Sequence, residues 1–138
     1  MKHEHRIRLL TTLGMVPFIG AAIAQFVGIS LFGYLPAEIF TSYGTVIISF
    51  LAGSIWGASR CRPQEMNAPF VATNLLTLVS WFALLQSSVL FVLIVNSFLF
   101  ILLYRLEAQQ ETDDSYLRLR RVVTTLVALM HLTMVILL

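Results

Sequence analysis

Five apolar runs, at 9–32, 42–59, 70–85, 89–106 and 122–138, dominate the sequence, and the charged residues lie almost wholly between them. No Asp, Glu or Lys falls inside a run, and the one Arg that does, Arg105, stands at the end of the fourth. A bilayer core of ~30 Å is crossed by ~20 apolar residues of helix. Runs of this kind therefore predict spanning helices, the third being short. Composition agrees: 58% of residues are hydrophobic and 12% charged, where a soluble domain carries ~25% charge. That leaves too little polar surface to coat a particle in water. The expectation is an all-α integral membrane bundle of five transmembrane helices, in one domain covering residues 1–138.

The basic residues orient this bundle. All nine Lys and Arg, namely Lys2, Arg6, Arg8, Arg60, Arg62, Arg105, Arg118, Arg120 and Arg121, fall on one face of a five-span chain. The 33–41 turn, the 86–88 turn and the C-terminus carry none. The positive-inside rule then predicts the N-terminus in the cytoplasm and the C-terminus outside. A pI near 9.0 thus reflects topology and membrane lipid as a partner, not nucleic acid.

Pro17 lies inside the first run, where a spanning helix tolerates it because neighbours re-satisfy the freed backbone groups. Lys2, Arg6 and Arg8 with Ala22-Ile23-Ala24 resemble a signal peptide with its cleavage site. The apolar run continues past Ala24 to Phe32, which favours a retained helix. Pro36 and Glu38 suit a helix start, Gln86-Ser87-Ser88 a tight turn, and Asp113-Asp114-Ser115 a helix cap. The polar loop 60–69 holds two prolines.

Small residues recur with a fixed step along the second run. Thr45, Ser49, Gly53 and Gly57 are four apart and form one ridge on a helix. Lipid tails are as apolar as Leu, so helices associate through such close-packing faces. Tyr43 and Trp56 stand where aromatic rings favour the headgroup region. The second run is the expected central packing helix, with Thr45, Ser49, Gly53, Trp56 and Gly57 as packing or partner-contact positions.

Leu13-Gly14 and Pro17-Phe18 in the first run, YG…ISFLAG…WG in the second, and Tyr116-Leu117-Arg118-Leu119-Arg120-Arg121 before the last carry a resemblance. The chain resembles the family of domain of unknown function 3429, whose eukaryotic relative is the mitochondrial membrane protein transmembrane protein 69. The resemblance covers essentially the whole chain and implies a membrane fold and location, but no activity. It departs at Ile55, where a polar or basic residue such as His or Arg is expected before Trp56.

Polar groups at membrane depth are few. His131 lies halfway along the last run and Asn96 at a similar depth in the fourth. Either they line a polar pocket or proton path, or they form an interhelical hydrogen bond worth ~0.6–2 kcal/mol. Thr73, Asn74, Thr77 and Ser80 form a polar stripe along the third run. It either lines a cavity or bonds neighbouring helices and its own preceding turn. Gln25, Ser30 and Ser54 invite the same two readings. Asn74, Asn96 and His131 make up the possible intramembrane polar site.

No metal site is expected. His3 and His5 have only Cys61 as a soft donor on the same side, short of the four ligands of a structural site. One cysteine also excludes an internal disulfide. Cys61 beside Arg60 and Arg62 reads as a spectator thiol, and Glu107, Glu111, Asp113 and Asp114 as a solvated acidic loop. Arg118, Arg120 and Arg121 read as topology signals that meet anionic lipid.

No nucleophile, acid and base stand together, so neither an enzyme nor a cofactor is expected. The leading expectation is an accessory, assembly or scaffolding component of an inner-membrane complex, with a membrane-protein partner or a second copy. The alternative is a small transporter or binder of a lipid, hydrophobic ligand or cofactor, using Asn74, Asn96 and His131. The N-terminal stretch lacks the Arg- and Ser-rich, acid-poor character of a mitochondrial presequence, which favours a bacterial inner membrane.

Overall fold

The computed structural model describes the backbone of residues 2–61 and 68–138, and the side chains of 5–61 and 71–138. Most of the 60–69 loop and the side chain of His3 therefore lie outside the described residues. Every element of regular structure among them is helical: α1 Lys2–Leu13, α2 Val16–Val27, α3 Pro36–Arg60, α4 Ala68–Leu85, α5 Val89–Ala108 and α6 Asp114–Leu137. Among the described residues four helical stretches, His5–Val27, Pro36–Arg60, Val89–Gln110 and Asp114–Leu137, are long and apolar enough to cross a membrane. Val71–Leu85 is a shorter apolar helix. Phe26 is 78% exposed, Phe50 70% and Ile136 76%. An apolar exterior of this kind is untenable in water and natural in lipid. The chain is a membrane protein.

The first apolar run divides into α1 and α2 at Gly14 and Met15. Pro17 falls in the first two positions of α2, where its missing N–H costs nothing and its ring blocks continuation from the preceding turn. At the interruption the Tyr43 hydroxyl donates to the Gly14 carbonyl at 2.9 Å. Tyr43 is therefore half-buried against Phe18, with ring centroids 4.9 Å apart, and does not mark a helix end as the sequence suggested. The helix also stops at Val27, short of Phe32. Gly28 caps it at φ 75°, with its N–H on the Ala24 and Gln25 carbonyls. A turn follows in which Leu31 and Tyr34 pair their backbones across Phe32 (φ 54°) and Gly33 (φ 84°), as in a type I′ turn.

Local sequence starts α3, α5 and α6. Pro36 opens α3, and the Leu35 N–H donates to the Glu38 carboxylate at 3.1 Å. Ser88 Oγ accepts from the Phe91 N–H to cap α5. Asp113 caps α6, accepting from the Ser115 and Tyr116 N–H groups at 2.9 and 3.3 Å. The Tyr116 N–H, followed by the hydroxyl and N–H of Ser115, holds the Asp113 carboxyl below its ordinary range.

α3 is central, packing against α2, α4 and α5, while α6 closes the bundle against α5, α2 and the end of α1. Phe18, Phe40, Ile48, Leu93, Leu103 and Met134 fill the core. The face α3 turns inward is not the expected ridge. It runs through Ala37, Phe40, Thr41, Gly44, Thr45, Ile48, Ala52, Ile55 and Ser59. Of the ridge, only Thr45 is buried. Ser49, Gly53 and Gly57 are exposed, and a Cβ built on either glycine meets no described atom within 4 Å. Trp56 is half-buried, with the Arg60 guanidinium 5.3 Å from its ring centroid.

The basic stretches gather at one end of the bundle. There Arg8 of α1 shares a hollow with Ser115 and Arg118, and the Ser59 hydroxyl donates to Gln110 Oε1 at 3.1 Å. At the other end Tyr34 and Glu38 face Ser87 and Ser88 across an open cavity of about 560 Å³. Also there, Gln25 donates to the Leu137 carbonyl at 3.4 Å.

Candidate functional site

Buried polar side chains from three helices meet at Asn96, which is fully enclosed. The Ser80 hydroxyl of α4 donates to Asn96 Oδ1 at 2.8 Å and lies 3.1 Å from Thr45 Oγ1 of α3. Asn96 Nδ2 donates to Thr45 Oγ1 at 3.4 Å and to the Thr41 carbonyl at 3.5 Å. Thr41 spends its own hydroxyl on the Ala37 carbonyl one turn back. In a medium without water each unpaired amide or hydroxyl is costly, so this cluster fixes the register of α3, α4 and α5.

Gly44 makes the approach possible. A Cβ there would sit 3.1 Å from Asn96 Nδ2 and 3.6 Å from His131 Nε2. Asn96 and His131 thus converge on one glycine without bonding each other. His131 Nδ1 lies 2.8 Å from the Val127 carbonyl. A carbonyl only accepts, so Nδ1 carries a proton, and in the neutral ring Nε2 presents a lone pair. That Nε2 has no hydrogen-bond partner among the described residues. The ring is walled by Phe40, Phe100 and Phe18, at centroid distances of 4.8, 5.5 and 5.7 Å. The surroundings are apolar and tight, suited to holding α6 in place.

The third member of the expected site is elsewhere. Asn74 is exposed on α4, whereas Thr73 and Ser80 of the same stripe are buried. Thr77 is half-buried and back-bonds to the Thr73 carbonyl at 3.1 Å. A one-residue step around a helix is ~100°, enough to move Asn74 off the inward face. Ser30 and Ser54 are exposed as well.

A second arrangement lies at the basic end, where sequence reasoning saw solvated charge. Arg120 Nε donates to Glu107 Oε2 at 2.7 Å, with side chains only 6% and 11% exposed. The Tyr116 hydroxyl donates to Glu107 Oε1 at 2.7 Å. Glu107 is thus a buried partner rather than part of a solvated loop, and Arg120 is more than a topology signal. The four-residue step from Tyr116 to Arg120, which puts both on one face of α6, was the available clue. Tyr116 and Arg120 border a cleft of about 410 Å³ whose wall includes Phe18, Ile47, Phe50 and Phe100. Phe18 and Phe100 also contact His131, so two aromatic rings separate cleft from imidazole. Cys61 is exposed and free, and no group of three or more potential metal-ligating side chains occurs among the described residues.

The family described as "Protein of unknown function (DUF3429)" matches residues 4–136. The chain belongs to the DUF3429 family. The match does not extend to the narrower kinship with transmembrane protein 69. No curated protein matches the chain, and no solved structure does. For this DUF3429 member the function rests on its own residues.

Proposed function

We propose that this DUF3429 protein is a non-catalytic accessory, assembly or scaffolding component of an inner-membrane complex, and that it joins its partner through the outer face of α3. One observation carries the reading. Ser49, Gly53 and Gly57 lie in a row on that face, and both glycines are open to any described atom. Ser49 returns its hydroxyl to the Thr45 carbonyl at 3.0 Å, leaving a ridge without bulk or free donors. Helices associate in lipid through such ridges by close backbone approach. In this reading the chain crosses the membrane five times, α1 and α2 counting as one span. The positive-inside rule puts the basic end in the cytoplasm and the C-terminus outside. The partner is a second copy or another membrane helix.

Gly53→Leu tests this. Extracted with native lipid and weighed by native mass spectrometry, the variant is expected to keep its fold and lose the stoichiometric partner that the unsubstituted chain carries. Retention of that partner would contradict the proposal.

One observation favours a second reading, that the bundle binds a hydrophobic ligand. It is the cleft of about 410 Å³, within the ~300–1,000 Å³ of small-molecule sites. The residues first expected to serve it, Asn74, Asn96 and His131, do not line that cleft.

A further inference from the structure

The cleft between α1, α3 and α6 holds a buried guanidinium with donors to spare. Arg120 lines it and is 6% exposed in its side chain. Its Nε is spent on Glu107 at 2.7 Å. Neither Nη makes a hydrogen bond to a described residue. An arginine has five N–H donors, and neither Nη is among the fully enclosed unpartnered atoms, so the spare donors are reachable from the cleft that Arg120 lines. Arg120 borders this cleft but not the smaller hollow beside it that Glu107, Gln110 and Tyr116 share. An acceptor in the cleft is therefore well placed to complete Arg120.

Charge and shape narrow what that acceptor is. Glu107 already balances Arg120 and also takes the Tyr116 hydroxyl at 2.7 Å. A second anion would leave net negative charge in a low-dielectric site, which is strongly disfavoured. A neutral carbonyl oxygen satisfies the Nη donors without adding charge. The rest of the wall is mostly apolar, with Thr11, Ser54, Tyr116 and Thr124 as its other polar side chains. Leu10 and Phe50, 69% and 70% exposed, line the same cleft, so it opens sideways toward lipid. We propose that the cleft takes the carbonyl end of a neutral amphiphile, its oxygen accepting from Arg120 and its chain running out between α1 and α3. An acylglycerol and a long-chain quinone share this chemistry. The inference rests on the ligand-binding reading and makes it specific.

The test uses the full chain in nanodiscs of ether-linked phosphatidylcholine, which carries no competing carbonyl. The probes are dioleoylglycerol, decylbenzoquinone, the dialkyl ether analogue of the glycerolipid, and an ether-linked phosphatidic acid, read by native mass spectrometry. Dioleoylglycerol or the quinone is expected to add one to one, and whichever binds identifies the source. The ether analogue is expected to bind about tenfold or more weakly, the measure of a hydrogen bond to a charged group. Joint Glu107→Met and Arg120→Met substitution, which leaves no lone charge, is expected to remove that tenfold preference. If this pair does not fold, the ester-against-ether comparison on the unsubstituted chain decides alone. Equal binding of ester and ether would leave the ligand-binding reading standing and overturn the role of Arg120. Preference for the phosphatidic acid would overturn the neutral ligand. Binding of no probe would overturn both this inference and the ligand-binding reading it rests on.

Discussion

The two faces of α3 carry glycine for opposite reasons. On the inner face Gly44 is pressed against its neighbours, with Asn96 Nδ2 3.1 Å from where a Cβ would sit. On the outer face Gly53 and Gly57 have open space there. The inner glycine is explained by the fold of this chain and the outer ones are not. In water an outward glycine in a helix is only a weak point, costing ~1 kcal/mol relative to Ala. In lipid, where the surroundings are as apolar as a core, a row of small residues is the usual means of close helix approach. The difference between the faces separates what holds the chain together from what, on the proposed reading, α3 offers to a partner.

Substitutions can break or sharpen this contrast. The largest effect is expected for Gly44→Leu, which drives a branched side chain into Asn96 and His131. Overpacking of this kind costs about 3 kcal/mol, read as a fall in thermal midpoint by circular dichroism in detergent. Asn96→Leu comes next. It removes the acceptor for Ser80 and the donor to Thr41 and Thr45, at about 1–2 kcal/mol, by the same assay. Gly53→Ala is the smallest, at most about 1 kcal/mol and in the stabilising direction. A Gly53→Ala loss as large as that of Asn96→Leu would erase the distinction between the faces. Gly53→Leu is expected to spare the fold equally, although it removes association.

Much of the architecture was legible in the apolar runs and the places where charge interrupts them. The Asp113 cap and the centrality of α3 were legible too, because caps and small-residue helices leave local marks. The inward face of α3 was not. Hydrophobic periodicity points to the core only when the outside is water. Here lipid takes Val46 and Phe50 as readily as the core takes Ile48 and Ile55, so both faces read alike. Asn74 was misplaced for a related reason, since membrane depth can be counted from sequence but azimuth cannot. The Glu107–Arg120 pair was missed because charge near the end of a span normally means solvent. Only the packing of α5 against α6 shows it enclosed.

The central claim, that α3 meets its partner through Ser49, Gly53 and Gly57, is open to direct measurement by cysteine cross-linking in native membranes. Cys61→Ser supplies a cysteine-free background, since the chain has one cysteine. Single Cys substitutions would then be made at Ser49, Gly53 and Gly57 and, on the inner face, at Ile48, Ala52 and Ile55. The account predicts intermolecular adducts at the first set, recurring every four residues, and none at the second. Adducts absent from the first set, or equal in both, would contradict it.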